Sequence, residues 1–149
     1  MSDRRLVSEH GAAEDSTGLL LWQVTNRWQA AQRAALKPYG LTHVQFVLLA
    51  SLTWLERDGP ITQRDLAGHA ATDEMMTSQV LRALADRGLV ERVDHPTDRR
   101  ARALAVTAAG ADLANAANAA VEDCDRQFFA ALGSRRAAFT AALRALRPA

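Results

Sequence analysis

The chain has 149 residues, 48% hydrophobic and 23% charged, which points to one globular domain with its own core or a core shared with a second copy. Eighteen Lys and Arg face seventeen Asp and Glu, a formal net charge of +1, so a generally basic protein is excluded and any nucleic-acid surface must be local. A single cysteine, Cys124, excludes an internal disulfide framework, and no apolar run approaches the ~20 residues of a bilayer span, so a cytoplasmic location is expected.

Residues 1–15 are charged and without periodicity, and read as a loose N-terminal arm. Ser16 or Thr17 can cap a first helix in which Leu20, Val24, Trp28, Ala31 and Ala35 recur at helical spacing, until Pro38 and Gly40 end it. A helix this long, lying ahead of the compact part of a small domain, has few surfaces of its own to bury that seam against; a partner chain is the natural candidate. Thr42 and Gln45 form a capping box for a second helix through about Glu56, apolar around most of its circumference and therefore central and buried. Asp58-Gly59-Pro60 is a turn, and Ile61 adds one short strand.

Thr62 caps a short third helix with Asp65 at its third position. Ala70-Ala71-Thr72 then turn the chain into a fourth helix, Asp73 to Arg87, capped by Thr72. On it Thr77, Val80, Leu81 and Leu84 form an inward stripe, while Met75, Ser78, Gln79 and Arg82 face outward. A short helix, a turn and a longer helix with an opposed polar stripe is a helix-turn-helix arrangement, whose outward side chains can hydrogen-bond base edges or phosphates. Met75 can also touch a thymine methyl.

Gly88 ends that helix, and 89–93 and 101–106 read as two strands around a polar loop, His95 to Arg100. From Arg92 to Arg102 four arginines stand against Asp94 and Asp98, a net of +2, the local segregation that the near-neutral total demands. Thr107 caps a long alanine-rich helix through about Ala131, with Leu113, Ala117, Ala120, Val121, Cys124, Phe128 and Ala131 on its seam. Ser134 is expected to cap a last helix carrying Phe139, Leu143 and Leu146.

The run Leu84-Ala85-Asp86-Arg87-Gly88-Leu89-Val90-Glu91-Arg92, then Asp98-Arg99-Arg100, then Val106-Thr107-Ala108-Ala109-Gly110, resembles the signature of MarR-type (multiple antibiotic resistance regulator) transcription factors. The similarity extends over nearly the whole chain in element order and length. It implies a mainly α fold with a small β wing: a winged helix-turn-helix reading head at 41–106, and long dimerisation helices at 16–38 and 107–149 of a single domain spanning 16–149. It further implies a homodimer whose recognition helices enter successive major grooves of a pseudo-palindromic operator in double-stranded DNA. On this pattern Thr72, Asp73, Met75, Ser78, Gln79, Arg82, His95, Arg99, Arg100 and Arg102 would contact DNA. Arg100 would be the wing-tip arginine, and Asp98 the acid that orients it. Many members of the family bind a small aromatic or phenolic effector between dimerisation helices and reading head, so relief of repression is expected. Trp22, Trp28, His43 and Trp54 are the candidates for that pocket.

Other chemistry has little support. His10, His43, His69 and His95 are scattered with no ligand cluster, so no metal is expected, and no cofactor-binding or catalytic motif stands in a strand-turn-helix setting. Cys124, on a helix seam between Asp123 and Asp125, reads as an inert buried thiol. Two alternatives remain open: a winged-helix module that binds only protein, and a DNA-binding regulator with no effector.

Overall fold

The computed structural model describes residues 4–148. Past a 3₁₀ turn at Ala13–Asp15, helix α1 runs Thr17–Leu36, with the Ser16 hydroxyl accepting the Leu19 amide at 3.2 Å. Gly40, at φ 65°, reverses the chain after a 3₁₀ turn. Helix α2, His43–Leu55, starts in the expected Thr42–Gln45 capping box. Strand β1 is Ile61–Thr62, helix α3 is Gln63–Ala70 and helix α4 is Glu74–Asp86. Strands β2 (Val90–Asp94) and β3 (Arg102–Val106) follow, then helices α5 (Ala108–Phe128) and α6 (Arg136–Leu146).

The sheet is antiparallel in the order β1-β3-β2, with Ile61 paired to Leu104 and Val90 to Val106. Helix α2 lies at the centre of the core. Leu48, Leu49 and Leu52 are completely buried, and they share one apolar cluster with Leu36 of α1, Leu66 of α3, Leu81 and Leu84 of α4, Leu104 of β3, and Ala114, Ala117 and Val121 of α5. Burying a leucine side chain this fully contributes about 1.5–3 kcal/mol, so α2 is the post on which the helix-turn-helix and the long helices are mounted.

Two expected helix starts differ. Thr72 does not cap α4; Asp73 does, its carboxylate accepting the Met76 amide at 2.7 Å, because Thr72 turns its hydroxyl to Thr77 instead. Ser134 does not cap α6 either. Residues Ala130–Arg135 form a 3₁₀ segment interrupted by Gly133 (φ 54°, ψ −128°), and α6 begins at Arg136 without a side-chain cap.

The junction between reading head and long helix is tightly built. Gly88, at φ 73°, closes α4, and the Leu89 amide donates back to the Leu84 carbonyl at 3.0 Å, a Schellman closure. The Thr107 hydroxyl donates to the Gly88 carbonyl at 2.6 Å and accepts the Gly110 amide at 3.0 Å, while the Thr107 amide donates to the Leu89 carbonyl at 3.1 Å. Gly110 abuts that same carbonyl: a Cβ added there would stand 1.9 Å from Leu89 O.

The ends of the chain are left open. Leu20, Trp22 and Val24 of α1 are exposed, as are Leu143 and Leu146 of α6, a helix with no buried residue among those described.

Because the Leu89 carbonyl is backbone and cannot step aside, Gly110→Ala should lower the chemical-denaturation stability by about 2 kcal/mol or more. Gly68→Ala in α3, where an added Cβ meets nothing within 4 Å, should be neutral or raise it by up to about 1 kcal/mol. Equal effects of the two substitutions would contradict the close packing at Gly110.

Candidate nucleic-acid interface

The two faces of α4 separate as their spacing requires. Thr77, Leu81 and Leu84 are buried and Val80 is half-buried, whereas Met75, Gln79 and Arg82 are exposed and Ser78 half-exposed. The Arg82 guanidinium reaches Ser78 Oγ one turn earlier at 3.4 Å, so the two act together on the outward face. Glu74 and Asp73 put negative charge at the helix start, where the dipole favours it.

A hydroxyl relay sets the entry to this helix. Thr77 Oγ1 donates to the Asp73 carbonyl at 2.8 Å; having spent its one proton there, it must accept from Thr72 Oγ1, 2.6 Å away. Thr77, read from its position as part of the inward stripe, is buried as expected and is a polar anchor joining the turn to the helix. The left-handed Ala71 (φ 54°) completes the turn. At the other end of α4, Arg87 Nη1 donates to the Gly40 carbonyl at 2.8 Å, tying the helix to the turn between α1 and α2.

In the wing, β2 and β3 pair until Asp94 stands opposite Arg102. His95 is half-buried and its Nδ1 accepts amides from Thr97 (3.3 Å) and Asp98 (3.0 Å), which requires the tautomer protonated at Nε2. Asp98 Oδ1 in turn accepts the backbone amide of Arg100 at 2.9 Å. The Asp98 carboxylate thus shapes the backbone under Arg100, and among the described residues no ion pair joins it to that guanidinium. Arg99, Arg100 and Arg102 are exposed, with no acidic side chain bound to them among the described residues. The wing holds uncompensated positive charge on an ordered loop, suited to phosphates or a narrow minor groove.

The four residues considered for an effector pocket do not meet in one place. Trp28 and His43 pack edge to face with ring centroids 5.0 Å apart. Trp28 Nε1 and Gln32 Nε2 both donate to Asp125 Oδ1, at 2.8 and 2.7 Å, so this pair belongs to a polar tie between α1 and α5. Gln32 is completely buried and its Oε1 has no partner among the described residues. Trp22 lies on the open outer face of α1 beside Leu20 and Val24. Trp54 borders a cavity of about 280 Å³ across α2 and α5, with Ala50, Thr53, Arg57, Ala114, Asn115 and Asn118, whereas Trp28 lines a separate apolar one of about 210 Å³ with Phe129, Phe139 and Leu143. Position along the chain did not single out Arg57 or Asp125, because only the packing of α5 brings the cavity walls to the one and Trp28 and Gln32 to the other.

Cys124 is half-buried, and burial, followed by the charges of Asp125 and Asp123, pushes its thiol up, away from the reactive thiolate. No group of three potential metal ligands occurs among the described residues, nor is any helix among them long and apolar enough to cross a membrane.

Comparison with known proteins agrees with this geometry. Residues 41–101 match the model of the MarR family. The uncharacterised HTH-type transcriptional regulator YdcH of Bacillus subtilis (strain 168) is 42% identical over 125 residues, 83% of this chain and 85% of that protein. An HTH-type transcriptional repressor of Mycobacterium tuberculosis (strain ATCC 25618 / H37Rv) is 34% identical over 82% of this chain and 86% of its own. Among solved structures, CouR from Rhodococcus jostii RHA1 bound to p-coumaroyl-CoA superposes with a TM-score of 0.83 at 27% identity, covering 93% of this chain and 96% of that one.

Burial, and then the positive charge of Arg33, hold His43 below the ordinary imidazole value of 6.5, against a smaller opposing pull from Asp125. The unfolded chain therefore takes up a proton near pH 6.5 that the native state resists, and stability should fall as the pH drops from about 7 to 5. Denaturation midpoints of wild type and His43→Phe across this window should differ in slope, the variant losing less. Parallel slopes would show that His43 does not contribute.

Proposed function

The chain belongs to the MarR family of transcriptional regulators, a DNA-binding and non-enzymatic class, and from this we propose that it is a homodimeric, sequence-specific repressor released from a pseudo-palindromic operator by a small aromatic ligand. The observation that carries the DNA-reading role is the segregation of side chains on one small chain of net charge +1: an outward face of Ser78, Gln79, Arg82 and Met75 on α4, and on the wing Arg99, Arg100 and Arg102, which have no acidic partner among the described residues. In this reading the α4 residues, with Thr72 and Asp73 at its start, contact base edges and phosphates in the major groove. Arg100 enters the adjacent minor groove. His95 and Asp98 hold the wing loop in shape for it.

The exposed apolar residues of α1 and α6 support dimerisation, since a second copy would cover Leu20, Trp22, Val24, Leu143 and Leu146 at once. Two copies also match the two half-sites of a palindrome. The repressor assignment is supported by the M. tuberculosis relative. Ligand control is supported by the complex of CouR with an aromatic acyl thioester. The cavity at Trp54 suits a small aromatic acid: the exposed indole offers a stacking face, Arg57 has no acidic partner among the described residues, and the walls come from both α2 and α5. An occupant there would press the core post of the reading head away from the long helix.

Selection from a random pool of duplexes should yield a pseudo-palindrome bound by two chains. Affinity for it should fall steeply with salt, and Arg100→Ala should weaken it about tenfold and make that salt dependence shallower. Selection of no sequence, with a salt-independent interaction, would favour a protein-binding module. Aromatic acids and their thioesters, screened on the protein–operator complex, should include at least one that releases DNA from wild type, and Trp54→Ala should need about tenfold more of it. Release that is unchanged by Trp54→Ala and by Arg57→Ala would place the ligand elsewhere, and a complete lack of response would leave a regulator without an effector.

A further inference from the structure

The geometry points to Met75, at the exposed start of α4, as a site of reversible oxidation whose sulfoxide form no longer reads DNA; this rests on the assignment of α4 as the reading helix. Met75 is 74% exposed and its neighbour Met76 is 43% exposed, unusual values for side chains that are ordinarily core-filling. Both belong to the first turn of α4, and the Met76 amide is held by the Asp73 cap, so the chain presents the two thioethers on an ordered element. Thr77, the next residue, is completely buried and anchors the helix from inside. Oxidation of Met75 therefore changes the outward surface without entering the core.

The thiol is the less suitable target. Cys124 is half-buried and its thiolate is disfavoured by burial and two aspartates. A thioether has no proton to lose, and its reactivity follows exposure rather than ionisation. Hypochlorous acid is the suitable oxidant class. The sulfur lone pair takes the chlorine from HOCl and hydroxide leaves; water then adds at sulfur as chloride departs, and two protons are lost, one of them neutralising the hydroxide, so that thioether plus HOCl gives sulfoxide, H⁺ and Cl⁻. Sulfur is oxidised by two electrons and chlorine is reduced by two. The product replaces a flexible apolar contact for a thymine methyl by a polar, partly negative oxygen facing a polyanion. Methionine sulfoxide reductases return the thioether, so the change can serve as a switch.

The test treats the full-length protein with graded hypochlorous acid and follows three readouts: peptide mass spectrometry, helical content by circular dichroism, and affinity for the selected operator. Met75 should gain one oxygen before any other residue, helical content should hold, and specific affinity should fall about tenfold or more, recovering after reductase treatment. Met76→Leu should keep the full response. Met75→Leu, compared with its own untreated affinity, should lose it. The proposal is overturned if another side chain oxidises first, if oxidised wild type binds as untreated protein does, or if Met75→Leu remains sensitive. Untreated protein that binds no duplex overturns the reading role of α4, while peptide mapping still reports separately whether Met75 is the preferred site.

Discussion

The fold turns on the contact between the Leu89 carbonyl and the first turn of α5. Gly110 has to lack a side chain for that approach, and the Thr107 hydroxyl bridges the Gly88 carbonyl, just past α4, to the Gly110 amide in the first turn of α5. A hydrogen bond between uncharged groups contributes about 1 kcal/mol net, but here three converge where the reading helix ends, the wing begins and the long helix starts. The direction of α4 relative to α5 is set at this point. The end of α4 and the start of α5 meet here through backbone contacts, with few flexible side chains between.

A second tie works from the opposite side. Asp125 of α5 accepts from both Trp28 and Gln32 of α1, and Trp28 packs against His43 at the first turn of α2. Three helices thus meet around one carboxylate in a partly buried place, where a satisfied polar group specifies geometry and an unsatisfied one is costly. Gln32 Oε1 is buried there without a partner among the described residues, between the long helices α1 and α5. With the Thr107 junction at one end of α5 and Asp125 near the other, the helix is clamped to the reading head at one site and to α1 at the second. Between these clamps, α2 and α5 part to form the Trp54 cavity.

Electrostatics is organised by position, not by amount. Apart from the wing, most arginines are balanced by carboxylates over the whole sequence, and the net charge stays at +1. The wing concentrates arginine around a loop whose Asp98 carboxylate accepts a backbone amide and, among the described residues, binds no guanidinium. Phosphate binding is strongest for cations that give up few internal partners on contact.

Much was legible in the sequence, because it depends on neighbours within about one turn. The Thr42, Thr62 and Thr107 caps, the central burial of α2, the two faces of α4 and the wing strands all follow from local spacing, and the structure has them within a residue or two. The family resemblance, borne by the run from Leu84 to Gly110, also agrees with the matched family model. Local reasoning failed where two acceptors or two caps competed. Thr72 and Asp73 could each have capped α4, and the choice was made by Thr77, whose buried hydroxyl needed a donor. Ser134 lost its role because it lies inside the 3₁₀ segment Ala130–Arg135, which Gly133 interrupts, so that α6 starts only at Arg136. The grouping of Trp22, Trp28, His43 and Trp54 could not be read from spacing at all. Residues far apart in the chain come together or stay apart according to how α5 lies across α1 and α2, which depends on the packing of side chains and the backbone contact at Gly110.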